Sequence, residues 1–493
     1  MSLPDCSRLT ALKPRELIAL GDRLRALGVT REAAQPLFAA GGALPPMLRP
    51  VVRKLRARAV RTAAGVAMRA LLFDDPVPLD DARATFGDDL ARFLDVGLLV
   101  AHEDRVVAPF VLGIVDDLYI LADVLTAGAD AVMGLGPTTM LLATAASGGR
   151  KARRVLEIGC GAGTVALVLA RSAEQVVATD VNPRALALAR INAALNGLTN
   201  VDVREGSLFE PVRGETFDLV VSQPPFVARP AAASALTFLH GGARGDELSR
   251  ALLEALPAHL APGGRAVVLA EWPDVGEPVE TTVRRLIGEP ANAMILAAPS
   301  ADLDTHCALY AAGLHPRLDR AFEGEVVAQR AHFEALGVRA IVPTLTVVEA
   351  VPRESASPSW TATVPVVPFA SLAIDGARIG RMLEARRLAA DLPRLRATRL
   401  RVPEGAIIAQ EQRGPGAERE SRLSVRFPGN VGLQSVDLTE SLLFLLTHVH
   451  EAPSAEAGAA AFVASMGDSS PESLARALAS VAEALRYGLL QVD

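Results

Sequence analysis

From Arg153 to Ser172 the chain passes from a short apolar run, Val155-Leu156-Glu157-Ile158, through Gly159-Cys160-Gly161-Ala162-Gly163 into helical spacing, with no polar spacer between. A strand that ends on alternating glycines and runs straight into a helix makes a tight turn whose backbone amides face a ligand, since a side chain there would block its approach. The same rhythm then repeats. Residues 175–180 read as a second strand, and residues 183–197 as a helix opened by Pro183 in its first turn and closed by Gly197. Residues 201–205, 217–222 and 264–270 continue the series of apolar runs. Strands alternating with helices at this spacing predict a parallel, doubly wound α/β sheet.

A chain of 493 residues exceeds one ordinary core, and we expect three domains: 1–130, 131–350 and 369–493. Residues 10–40 and 50–72 have helical apolar spacing, broken at Gly41-Gly42 and Pro45-Pro46. Residues 79–100 read as two short helices, followed by the strand-like run VVAPFVLGIV. A helix pair followed by a hairpin predicts an N-terminal helical, winged-helix module, a fold that binds nucleic acid or protein or merely packs. After Val351 a Pro/Ser/Thr-rich stretch reads as an interdomain linker or an irregular edge strand. The last region is expected to be α+β. It closes, from Leu438, with helix, helix and a terminal YGLLQV, again winged-helix-like.

Half the residues are hydrophobic and only 4% aromatic, so the cores must rest on Leu, Val and Ala. Cys6, Cys160 and Cys307 match no zinc or redox spacing, and no leader pattern precedes them, which predicts a reducing cytoplasm. No apolar run is long enough to span a bilayer, so no membrane partner is expected. No metal is expected either, because His448 and His450 flank Val449 without a carboxylate or cysteine grouping. The formal net charge of −6 hides a basic N-terminus: through Ala70 there are thirteen Arg or Lys against four Asp or Glu. Arg49, Arg53, Lys54, Arg56, Arg58, Arg61 and Arg69 follow one another with no acid between them. That run is either a footprint for nucleic acid or an acidic partner, or a solvated helix face.

A Gly-x-Gly-x-Gly turn alone does not identify its ligand, because nicotinamide and flavin proteins use a related one. Three features narrow the choice. Glu157 opens the turn with an acid, suited to a cationic amino group rather than a pyrophosphate. Asp180 ends the next strand, where a carboxylate accepts ribose hydroxyls. The fourth strand ends in Ser222-Gln223-Pro224-Pro225-Phe226, which a dinucleotide site has no reason to carry.

With these residues in place, about residues 150–275 resemble the class I S-adenosylmethionine-dependent methyltransferases, whose fold is Rossmann-like. The nearest likeness is to the group that methylates amino nitrogens, which includes the release-factor glutamine and ribosomal RNA guanine N2 methyltransferases. LEIGCGAG, ATDVNPRALALARINAALNGL and FDLVVSQPPF carry the resemblance. It implies S-adenosylmethionine as cofactor, with Glu157, Gly159, Cys160, Gly161 and Gly163 along its methionine part. Asp180 would hold the ribose, with Val181 next to it and Asn182 at the edge of the adenosine pocket. Ser207, followed by Leu208, falls where the family has an Asp that contacts the adenine amine. GLGPTT (134–139) resembles the loop that closes over the cofactor, which makes Thr138 a candidate contact; Thr138 and Thr139 would equally cap a helix. In GARGDELSR, Asp246 is expected to cap the helix that follows the catalytic loop.

In those enzymes the loop reads Asn-Pro-Pro-Tyr or Asn-Pro-Pro-Phe. The prolines lock the turn, so the amide oxygen and the following carbonyl hold the acceptor nitrogen in line with the methyl group. Phe226 is then expected to be exposed and to stack on a planar acceptor. Here Gln223 replaces the Asn, adding one methylene and one torsion. Three readings stay open: methylation of an amino or amide nitrogen with the backbone adjusted, a different acceptor such as an oxygen or a small planar molecule, or cofactor binding without turnover. The function expected is methyl transfer to a nitrogen of a macromolecular acceptor, RNA or ribosomal material or a protein, presented by the N-terminal domain. The alternatives are a small-molecule acceptor and a non-catalytic cofactor-binding module.

Overall fold

The apolar runs form one sheet. Among the described residues it has nine strands, six of which are, in chain order, β1 (Arg154–Ile158), β2 (Gln175–Asp180), β3 (Val201–Glu205), β4 (Phe217–Ser222), β5 (Leu260–Asp274) and β6 (Ala340–Ala350), and these lie side by side as β6-β5-β4-β1-β2-β3. Strands β1 to β5 are parallel to their neighbours in this series, as the alternation predicted. Strand β6 runs antiparallel to β5 over ten paired residues, so the sheet is mixed. Helices α1 (Thr164–Ala170) and α2 (Pro183–Leu195) follow β1 and β2. Val176, Val177 and Ala178 on β2 and Val220 and Val221 on β4 have no exposed surface. Burial of such residues on both faces contributes about 1.5–3 kcal/mol per large side chain, and it accounts for their unbroken apolar character.

The computed structural model describes residues 3–39, 48–124, 128–149, 151–230, 239–315, 317–351, 359–413, 420–426 and 435–493. The break at Gly41-Gly42 and Pro45-Pro46, and residues 352–358 of the Pro/Ser/Thr-rich stretch, lie outside these. The chain forms two compact units. The first comprises residues 1–143, 151–293 and 300–352, and the second residues 144–150, 294–299 and 353–493. Residues 1–130 therefore share a unit with the sheet.

Helix α2 carries two of the contacts that join them. Helix Pro14–Ala26 lies on α2, where Gly21 approaches the Leu195 carbonyl too closely to admit a Cβ. Strands Val111–Val115 and Leu118–Ala122 form a hairpin, and α2 docks it through two asparagines. Asn192, fully buried, accepts from Leu121 N and donates to the carbonyls of Leu121 and Ala162; Asn196 brackets the Tyr119 amide and carbonyl, each at 2.8 Å.

Ahead of that hairpin the order is helix (Ala63–Leu72), strand (Val77–Pro78), helix (Leu79–Phe86), helix (Asp89–Asp95) and strands Val100–His102 and Arg105–Val107, with the last strand central in a three-stranded sheet. The expected strand VVAPFVLGIV is thus divided between two sheets, because Pro109 cannot donate to a ladder. Part of the basic run is tied down internally. Arg53 donates to the Phe38 carbonyl, Lys54 pairs with Asp74, and Arg58 and Arg69 both hold buried Asp75. Burial alone would push the Asp75 carboxyl up, but the two guanidiniums keep it below the usual carboxylate range. Helix Asp89–Asp95 is paired as well: Asp89 with Arg23, Arg92 with Glu16, and the Asp95 carbonyl with Arg8.

The second unit holds helices Gly376–Ala390, Glu440–Glu451, Ala455–Ser465 and Pro471–Arg486. Three helices, not two, precede the terminal strand Gln491–Val492, which pairs with Leu400–Arg401. Strands 407–413, 420–426 and 436–438 form a separate sheet before those helices. His448 packs its ring against Phe444 and Phe462, and His450 accepts from Val402 N, so each imidazole has a structural role. Among the described residues no helix is long and apolar enough to cross a membrane.

Candidate functional site

Register brings the site together. Ile158 on β1 is paired with Thr179 on β2 and Ser222 on β4, so Gly159, Asp180 and Gln223 leave the sheet at one level. The strand order reverses between β1 and β4, and such a switch point opens a crevice at the carboxyl edge. A cavity of about 440 Å³ lies there. Its wall is built from Glu157, Gly159, Cys160 and Gly161 after β1, Asp180, Val181 and Asn182 after β2, Ser207 and Leu208 after β3, and Gln223, Pro224 and Pro225 after β4. The far side is closed by Ala131, Val132, Met133, Gly134 and Thr139, and Arg229, His240 and Leu248 stand near the prolines.

Gly159, Gly161 and Gly163 all have positive φ, which a side chain disfavours. Gly161 donates its amide to Asp180 Oδ2 and Asn182 its amide to Asp180 Oδ1, each at 2.9 Å, so Asp180 organises both turns. Burial still raises its carboxyl above the ordinary value. Glu157 is only 4% exposed, and its Oε2 accepts from Ala166 N in the first turn of α1 at 2.7 Å. Burial pushes its carboxyl up to about 8, and Asp180 adds to the shift. Two acids that resist ionisation, facing one cavity, make it a place where a cation is stabilised.

Several expected residues have other work. Gly163 is absent from the cavity wall; it is the position where α1 meets α2, and a Cβ there would stand 3.0 Å from Leu167 and 3.2 Å from Ala189. Asn182 caps α2 through Oδ1 and donates Nδ2 to the Asp130 carbonyl, so its amide is spent holding the wall. Phe226 is half-buried and outside the wall, which both prolines reach. Thr138 is also outside it, and its hydroxyl accepts from Gln223 Nε2 at 2.9 Å. Asp246 occupies the cap position of helix Glu247–Ala255, yet its side chain makes no cap bond and pairs with Arg250 at 2.6 Å. Glu247 instead accepts the amides of Arg244 and Gly245.

Sequence reasoning missed the pair that sets the far wall. Asp123, fully buried, takes a bidentate hydrogen bond from Arg184 at 2.6 and 2.7 Å and accepts from Val132 N. A lone Asp after an apolar strand carried no signal of it.

Residues 132–273 match the Methyltransferase small domain family. A release factor glutamine methyltransferase of Xylella fastidiosa is 41% identical over 142 residues, covering 26% of this chain and 50% of that protein. A putative protein N5-glutamine methyltransferase of Methanocaldococcus jannaschii is 35% identical, covering 24% and 62%. A ribosomal RNA small subunit methyltransferase C of Alcanivorax borkumensis is 34% identical, covering 23% and 31%. The chain thus spans about half the length of the first of these relatives. The family match covers 142 of the 493 residues.

Proposed function

We propose that this chain transfers a methyl group from S-adenosylmethionine to an amide or amino nitrogen of a protein. The observation that carries this reading is the level register of Gly159, Asp180 and Gln223 around one cavity. The residues present fit the cofactor: the cavity is of ordinary ligand size, glycines admit close approach, and two buried acids face it. Glu157 would sit toward the amino group, Asp180 toward the ribose hydroxyls, and Ser207 and Leu208 toward the base. The bound cofactor supplies an activated methyl on a sulfonium.

The protein's contribution is alignment. Pro224 and Pro225 fix the turn, and the Gln223 amide oxygen accepts an N–H of the acceptor, turning the nitrogen lone pair toward the cavity.

Protein is favoured over RNA as acceptor. Two of the relatives are named glutamine methyltransferases, and within the basic run Lys54, Arg58 and Arg69 are engaged by Asp74 and Asp75. We read residues 63–107 as a winged-helix module whose third helix, Asp89–Asp95, is contacted by Arg8, Glu16 and Arg23. The test is incubation of the full chain with tritiated S-adenosylmethionine and a cell extract. Label in a protease-sensitive, nuclease-resistant fraction is expected. Label only in a nuclease-sensitive or low-mass fraction overturns the acceptor, and no label overturns the activity.

A further inference from the structure

The backbone of the acceptor loop is anchored at several points. At its start Ser222 Oγ donates to the Ile158 carbonyl at 2.9 Å. Two prolines follow. Beyond Phe226, Val227 N donates to the Leu239 carbonyl at 3.0 Å and Arg229 N to the Gly242 carbonyl at 2.9 Å. Gln329, fully buried on helix Arg320–Ala335, donates Nε2 to the Ala228 carbonyl at 2.9 Å. Gly245 packs so tightly that a Cβ on it would stand 2.6 Å from the Phe226 carbonyl oxygen. What stays soft is the Gln223 side chain, whose three torsions set where its amide points.

One contact removes that freedom. Gln223 Nε2 donates to Thr138 Oγ1 at 2.9 Å, and Thr138 belongs to the first turn of helix Pro137–Ala146. An asparagine at 223 would place its amide about one bond, ~1.5 Å, short of that hydroxyl. The extra methylene is therefore what lets the loop reach the helix.

We infer that Thr138 is a positioning residue: its hydroxyl holds the Gln223 amide nitrogen and so presents the amide oxygen to the acceptor. This rests on the methyl-transfer reading above. It assigns Thr138 to alignment of the acceptor and not to the cofactor. An acceptor nitrogen must then keep at least one hydrogen, as in a primary amide or an amine, to donate to that oxygen.

Thr138→Val keeps the shape and removes the hydroxyl, and Thr138→Ser restores it. In the full chain labelled with ¹⁵N-glutamine, the Gln223 side-chain amide resonance is identified by its loss in Gln223→Asn. Thr138→Val should shift that resonance and cut the initial rate of methyl transfer to cell-extract protein at saturating S-adenosylmethionine by at least about tenfold. The dissociation constant for S-adenosylhomocysteine should stay within about twofold, since the inference gives Thr138 no cofactor contact. Thr138→Ser should return both resonance and rate. An unshifted resonance in Thr138→Val overturns the inference, as does a loss of rate matched by a loss of cofactor affinity. If the wild-type chain transfers no methyl group, the underlying reading fails, and the resonance alone still decides whether the contact exists.

Discussion

The Gly161 amide and the Asp180 carboxylate meet at 2.9 Å, which ties the turn after β1 to the tip of β2. Asp180 thus shapes the glycine turn and also faces the cavity. Asp180→Ala should lose both functions. Two charge-assisted bonds to ribose, each about 1.5–3 kcal/mol, correspond to a fall in cofactor affinity of at least about a hundredfold. Equilibrium dialysis with labelled cofactor measures it, and a loss below tenfold would remove Asp180 from the ribose site.

The Glu157 carboxyl, held at about 8 in the free protein, gives cofactor binding a pH dependence. A bound ammonium favours the ionised acid, so its pKa falls on binding and a proton leaves whenever the free acid is still protonated. Affinity should therefore rise from pH 6.5 to about 8 and then level off. Calorimetry in two buffers of different ionisation enthalpy should find close to one proton released at pH 7, and Glu157→Gln should abolish the release. Proton uptake on binding would contradict the sign.

Glu271, near the end of β5, lies 3.6 Å from His306 Nδ1. Burial pushes the carboxyl up to about 7 and the imidazole down to about 4. A carboxyl whose folded value exceeds its unfolded value contributes stability that is full below the unfolded value and is lost as pH rises through the folded one. The wild-type chain should thus lose stability between about pH 4.5 and 7 relative to Glu271→Gln. Thermal melts of the two proteins across that window should diverge in this direction, and parallel curves would refute the assignment.

Asn192 satisfies three buried backbone groups at once. In Asn192→Leu the Leu121 amide and the Leu121 and Ala162 carbonyls lose their partner, at about 1–3 kcal/mol for each buried group left unsatisfied. The variant should be destabilised by about 3 kcal/mol or more in denaturant titration, with protease sensitivity appearing around residues 111–122. A change under 1 kcal/mol would mean that the hairpin is held by other contacts.

The sheet was legible because its strands are local and buried on both faces: β2, β3 and β4 begin and end at the residues the apolar runs mark. Strand β6 was not, since an antiparallel strand that returns after three helices has no local link to its neighbour. The cavity wall was legible where it lies within a few residues of a strand end, at Glu157, Asp180 and Gln223. It was hidden where it depends on distant pairs. The Arg184 bond to Asp123 spans 61 residues, and the Gln329 bond to Ala228 spans 101. The ion pairs of Lys54, Arg58 and Arg69 were hidden for the same reason, because Asp74 and Asp75 come after the basic run in the chain.

The most direct measurement is a calorimetric titration of the full chain with S-adenosylhomocysteine. The cavity bounded by Glu157, Asp180 and Gln223 predicts saturable binding at one site per chain, competed away by S-adenosylmethionine. A flat titration, with no change in melting temperature at millimolar ligand, would contradict the account at its base.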